Sequence, residues 1–227
     1  MSSLQSARYQ HNLFIVFAGG DDCFIGGGGD AGFHFARRVK KEFAAFVKYM
    51  QSQLSDLPEK ITISGGLAVV NSKFPALQFA KLAEEELEEA KRWSGQEGVK
   101  DRISVFGEPL TWEEFEKAYQ LADELSEKIS ERQLNRAILE RIKKSAVGYE
   151  KLQAQAFAGQ LNGPKVWRLF HFLGKRKGQK NDTQKALDEI IRNYANNLMR
   201  AYTEKKGTSH MVYPIAARWA EFMTANR

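Results

Sequence analysis

The residues with the clearest chemical content are Gly19-Gly20-Asp21-Asp22. Phe14-Ile15-Val16-Phe17-Ala18 precedes them and Cys23-Phe24-Ile25 follows, so two apolar runs meet at a Gly/Asp tip. That pattern is the signature of a tight β-hairpin. The glycines open backbone angles closed to other residues and leave room for a ligand beside the main chain. Two neighbouring carboxylates supply hard oxygen donors, which suit Mg²⁺ (or Mn²⁺) carrying a nucleoside triphosphate. The same four residues also read as an ordinary turn with solvated acids, because Gly and Asp are common turn residues. Gly26-Gly27-Gly28-Gly29-Asp30 follows directly. The Lys-Ser/Thr pair that would close a P-loop is missing, so the run is read as a flexible turn with Asp30 as a helix N-cap.

The elements that must position this tip follow from periodicity. From Ala31 to about Leu54, Phe35, Val39, Phe43, Phe46, Val47 and Met50 recur at helical spacing and are expected to face a core. Ile61 to Val70 reads as a strand, interrupted by Gly65-Gly66, where something is expected to approach the backbone closely. A second helix starts at Pro75, its exposed face carrying Glu84, Glu85, Glu86, Glu88 and Glu89 before Lys91 and Arg92. Arg102 to Gly107 reads as a short final strand. The order hairpin, helix, strand, helix, strand implies a small sheet backed by helices.

Beyond Thr111-Trp112-Glu113-Glu114, a capping-box pattern, the chain reads as helical. Phe115, Tyr119, Ala122, Leu125 and Ile129 form one stripe, and Leu134, Ile138, Leu139 and Ile142 another. Later helices are read over 165–173, from Asp182 or Thr183 onward, and from Pro214 to Met223, which makes a bundle. Lys175, Arg176, Lys177 and Lys180 mark a basic loop between them, suited to RNA, a phosphate or an acidic partner. The expected domains are 1–109 and 110–227.

Composition bounds the partners. Of 227 residues, 43% are hydrophobic and 27% charged, which fits one or two globular domains. No apolar run approaches the roughly 20 residues needed to cross a bilayer, no signal-peptide core is visible, and cytoplasm is expected. A single cysteine, Cys23, leaves no internal disulfide. Residues 1–127 carry 14 Lys+Arg against 20 Asp+Glu, and residues 128–227 carry 20 against 8. The basic half suits either a nucleic-acid-facing module or a solvated helical surface.

Taken in order, several motifs resemble one family. They are Phe17-Ala18-Gly19-Gly20-Asp21-Asp22-Cys23-Phe24-Ile25, Ile63-Ser64-Gly65-Gly66-Leu67-Ala68-Val69-Val70, Phe74-Pro75 with Leu82 to Lys91, Ile103-Ser104-Val105-Phe106-Gly107-Glu108, Leu110 to Phe115, and Ile215 to Glu221. The chain resembles the C-terminal part of the large signature subunit of type III CRISPR–Cas effector complexes, the Csm-like variant most of all. The resemblance implies an α+β fold: a partial polymerase/cyclase-like palm, a ferredoxin-like sheet with the GGDD hairpin, followed by an all-α helical bundle. It implies antiviral synthesis of cyclic oligoadenylates from ATP when the complex binds target RNA. Asp21 and Asp22 would hold two Mg²⁺ ions, Gly19 and Gly20 would admit the ribose and phosphates, Ser64 and Gly65 would line the nucleotide pocket, and Lys91 would face the triphosphate.

Implied partners are the backbone and small helical subunits, guide and target RNA through the complex, and no membrane, in a prokaryotic cytoplasm. In the family more chain precedes GGDD, including a nuclease domain, a first palm and the opening palm strand with a further carboxylate. The expectation is a fragment or split subunit whose palm another chain completes, acting as a nucleotidyltransferase only then. The alternative is a non-catalytic scaffold or RNA-binding subunit of the same complex. A stand-alone diguanylate cyclase shares Gly-Gly-Asp but not Asp22-Cys23 or the basic helical half.

Overall fold

The computed structural model describes residues 12–28, 30–54, 56–71, 73–92, 100–145, 158–159, 185, 188–189, 192–194, 196–197 and 209–225. The chain divides into two compact units, Met1–Trp112 and Glu113–Arg227. No helix among the described residues is long and apolar enough to cross a membrane.

The first unit opens with the expected hairpin. Strand β1 (Leu13–Gly19) pairs antiparallel with β2 (Asp22–Gly27). Gly19 pairs with Asp22, leaving Gly20 and Asp21 as a two-residue loop, and Gly20 takes a left-handed φ of 62°. A residue with a side chain is strained there. The register slips between Ile15 and Phe17, so Val16 is an extra residue in β1, a bulge. Gly26 and Gly27 are not a flexible turn, as the glycine run suggested. They end β2, and the Phe14 ring fills the space where a Gly26 side chain would stand.

Helix α1 (Ala31–Gln53) begins at Asp30, as expected. The Asp30 side chain makes no capping bond, however, and lies 3.4 Å from His34 Nε2 one turn on. Of the apolar stripe, Phe35, Val39, Phe43, Val47 and Met50 are only half-buried and Phe46 is exposed; the buried positions of α1 are Ala31 and Phe33.

The second sheet orders β3 (Gly65–Leu67), β4 (Arg102–Val105) and β5 (Glu108–Thr111) side by side, β3 parallel to β4 and β4 antiparallel to β5. The strands thus fall into two sheets instead of the single small sheet expected. β5 was not anticipated. It follows a turn in which Phe106 and Gly107 both take positive φ, 59° and 73°. Such angles suit a two-residue hairpin loop but are rare for an aromatic residue. Pro109 sits in β5, on the sheet edge where a missing N–H is tolerated.

Helix α2 (Ala76–Arg92) packs on this sheet at two fixed points. At Gly66, a Cβ would stand 2.3 Å from Leu87 N and 2.6 Å from Ala83 O. The close approach expected at the glycine pair is therefore made by the backbone of α2. At Glu86, the carboxylate accepts the Ser104 hydroxyl and, at 2.7 Å, the Gly107 N–H. Glu86 is thus not part of an exposed acidic face. It lies in phase with Leu82, Ala83, Leu87 and Ala90, and burial raises its pKa above the ordinary 4.5, against the lowering effect of those two hydrogen bonds.

The second unit is helical. It contains most of α3 (Trp112–Ser130), α4 (Ala137–Ser145), a short 3-10 turn (Ser209–Met211) and α5 (Val212–Ala225). Phe115, Ala118, Ala122 and Leu125 are buried, as are Leu134, Ile138, Leu139 and Ile142. Trp219 is the centrepiece, fully buried and stacked on Phe115 at 5.3 Å with Tyr119 at 5.2 Å. Lys143 of α4 reaches Glu221 of α5 at 2.7 Å. Tyr194 is buried against Tyr213, ring centroids 4.9 Å apart. The expected helix over 165–173 lies outside the described residues.

Gly66→Ala should destabilise the first unit by about 1–3 kcal/mol, because backbone atoms cannot yield as a side chain can; urea unfolding measures it. Glu86 tests the electrostatics. Its raised folded-state pKa means that stability is fully present below the unfolded value and is lost as pH rises through the folded one. Glu86→Gln should therefore gain in Tm relative to wild type as pH rises from 4 to 7. A difference that does not change with pH would refute this.

Candidate functional site

Asp21 and Asp22 project from the hairpin tip into solvent. The sequence places them there through Gly20, whose positive φ turns the chain in two residues. Among the described residues neither carboxylate has an ion-pair partner, so both are available to a cation. No group of three or more His, Cys, Asp or Glu that could hold a metal ion forms among the described residues. The tip therefore offers two oxygen donors and open space. That fits Mg²⁺, which keeps several waters and takes its other ligands from phosphates. Cys23, exposed, is the next residue of β2.

Ser64 and Gly65 stand at the start of β3. The Ser64 hydroxyl is buried and has no hydrogen-bond partner among the described residues. A hydroxyl left unpaired in that way costs free energy, which a ligand acceptor would recover. Gly65 faces Trp112: a Cβ there would meet the indole at 3.4 Å. Lys91, in the last turn of α2, pairs with Glu88 at 3.0 Å and is about a third exposed. That pairing is the ordinary i, i+3 contact of a helix surface. Lys175, Arg176, Lys177 and Lys180 lie outside the described residues.

Sequence reasoning did not single out Trp112 or Lys40. The Trp112 indole N–H donates to Ile63 O at 2.9 Å, one residue before Ser64. Lys40 of α1 stands over the Trp112 ring at 5.3 Å and pairs with Asp101 at 2.6 Å. Together they fix the backbone leading into Ser64 and Gly65. The sequence signal was a tryptophan directly after the N-cap of a helix, an unusual place for so large a ring. Its partner lies 49 residues away, which local patterning does not reach.

Comparison with known proteins bears on these residues. Residues 2–104 match the Cas10/Cmr2 second palm domain. The chain is 34% identical over 113 residues to the CRISPR system single-strand-specific deoxyribonuclease Cas10/Csm1 (subtype III-A) of Methanocaldococcus jannaschii. It is 32% identical over 105 residues to the protein of the same description from Thermococcus onnurineus. These matches cover 47% and 46% of this chain, but only 13% and 12% of the relatives. No solved structure matches the chain. The match takes in the hairpin, β3 and α2, and so every candidate residue except the basic loop.

Because both carboxylates are exposed and have no ion-pair partner among the described residues, Asp21→Asn with Asp22→Asn should leave the unfolding free energy nearly unchanged, within about 0.5 kcal/mol by urea denaturation. The same variant should weaken Mn²⁺ binding, followed by paramagnetic broadening of the hairpin resonances.

Proposed function

From the premise that this chain is similar to the C-terminal part of a Cas10-like large subunit, its first half an α+β palm, we propose that it is a subunit or fragment of a type III CRISPR effector complex. Its GGDD hairpin serves nucleotidyl transfer, the making of cyclic oligoadenylate from ATP in antiviral defence. The observation that carries this reading is the pair of solvent-facing carboxylates on a glycine tip, within the matched second palm.

Each residue has a role in the proposal. Asp21 and Asp22 hold Mg²⁺ or Mn²⁺, which when bound would neutralise the triphosphate and acidify the attacking 3′-hydroxyl. Gly19 and Gly20 present bare backbone so that ribose and phosphate can approach. Ser64 offers its unpaired hydroxyl to the nucleotide, and Gly65 keeps the wall thin. Lys91 exchanges Glu88 for a phosphate oxygen, an exposed helix pair being a weak contact to break.

The proposed partners are the backbone and small helical subunits, guide and target RNA, and a polypeptide that completes the palm. The proposed location is a prokaryotic cytoplasm. The deoxyribonuclease activity named for the two relatives belongs to chains of which this one spans about an eighth, and it is not carried across.

The test is ATP turnover with Mg²⁺ by the complex purified through this chain, with its guide and a matching target RNA. Cyclic oligoadenylate is expected, and Asp21→Asn with Asp22→Asn should abolish it while RNA remains bound. RNA binding without product in the wild-type complex would instead establish the scaffold reading.

A further inference from the structure

The fold accounts for Gly66 but not for the two residues before it. A Cβ at Gly65 would first meet the side chains of Trp112 and Ile103, at ordinary contact distances of 3.4 to 3.6 Å, and the φ of Gly65 is not left-handed. Among the described residues, neither packing nor backbone angle demands glycine there. The Ser64 hydroxyl is buried without a partner among the described residues. A bare main chain beside an unanswered hydroxyl suits a bound group that carries an acceptor atom.

The sheet does not fix Ser64. β3 joins β4 at Gly65, opposite Ile103, although β4 begins one residue earlier, at Arg102. Ser64 is therefore where the chain leaves the ladder, and side chains hold the segment before it. The Thr62 hydroxyl donates to Lys100 O at 2.6 Å, and the Trp112 indole N–H donates to Ile63 O at 2.9 Å. Ile63 O and Ser64 N belong to one rigid peptide plane, so holding the oxygen sets the direction in which Ser64 leaves it. The same indole lies where a Gly65 Cβ would point. Trp112 thus acts on the residue before Ser64 and on the residue after it. The ring is held in turn: Lys40 Nζ stands 5.3 Å from its centroid, within cation–π range, and pairs with Asp101 at 2.6 Å. All of these residues belong to the first unit.

We propose that Trp112 is a positioning residue for the nucleotide. Its N–H sets the peptide that carries Ser64, its ring backs Gly65, and Lys40 keeps the indole in that orientation. This rests on reading Ser64 and Gly65 as the nucleotide wall, and it adds what holds the wall in place.

A part in packing alone has different consequences. It would support the unit as a whole, and its loss would lower stability without regard to Ser64. A positioning residue acts through Ser64, so its effect on nucleotide affinity fades once that hydroxyl is gone. It also acts on binding and not on the acids at the hairpin tip, so it moves KM and leaves kcat.

The experiment replaces Trp112 by β-(3-benzothienyl)alanine, which keeps the two fused rings and puts sulfur in place of the N–H. The complex is purified through the full chain, with its guide and a matching target RNA. Equilibrium binding is measured with α,β-methylene-ATP, whose bridge at the α-phosphate does not break, and KM and kcat are measured with ATP. The replacement should weaken analogue binding and raise KM by about three- to tenfold, the worth of one hydrogen bond, with kcat unchanged. In a Ser64→Ala background the same replacement should have little further effect. Lys40→Met should weaken binding by about two- to fivefold, and Lys40→Arg, which keeps a cation over the ring, should restore it. Wild-type affinity in the Trp112 variant overturns the proposal, as does a loss that persists undiminished in the Ser64→Ala background or a fall in kcat at unchanged KM. A wild-type complex that binds no analogue removes the nucleotide reading and this proposal with it; analogue binding that ignores the Trp112 replacement removes the positioning role alone.

Discussion

The first unit depends on one close approach, the backbone of β3 against the backbone of α2 at Gly66. A side chain there would stand 2.3 Å from Leu87 N, so only glycine allows the contact. Glu86, on the same turn of α2, adds the second point by accepting from Ser104 and from the Gly107 N–H. Two points fix both where the helix lies along the sheet and how it is rotated. Ser64 stands two residues before the first point, and Lys91 five residues after the second. Their positions are thus set by residues that bind nothing themselves. Both points carry a cost, the glycine in chain entropy and the buried carboxylate in desolvation. What they provide in return is placement.

What was legible in the sequence follows from the range of the interactions. The hairpin, α1, α2 and the stripes of α3 and α4 were legible because their signals repeat every two, three or four residues. The tip acids were legible because Gly-Gly-Asp-Asp encodes both the turn and the donors. β5 was not, because Phe106 holds a left-handed angle that no aromatic residue advertises, and Pro109 reads as a loop. The strand expected over 61–70 shrank to Gly65–Leu67 because its flank is bonded elsewhere: the Thr62 hydroxyl donates to Lys100 O, and Ile63 O accepts from Trp112. Glu86 was misplaced by grouping charges by type; its phase with Leu82 and Ala90 already placed it on the apolar side.

The two sheets of the first unit differ in how they are covered. In β4, Ile103, Ser104 and Val105 are fully buried, whereas in β1 four apolar residues in a row stand about half exposed or more. The difference matters for the carboxylates at the end of β1. In water the attraction of Asp21 and Asp22 for a cation is weak, about 1 kcal/mol for a unit-charge pair at 4 Å, and it strengthens severalfold as the surroundings become less polar. Covering Phe14 to Phe17 would also dry the flank of the tip that β1 carries. The chain holds its donors in place at an exposed tip, in a medium where they act weakly. A carboxylate pair held in this way would act more strongly in a drier surrounding without any residue at the tip having to move.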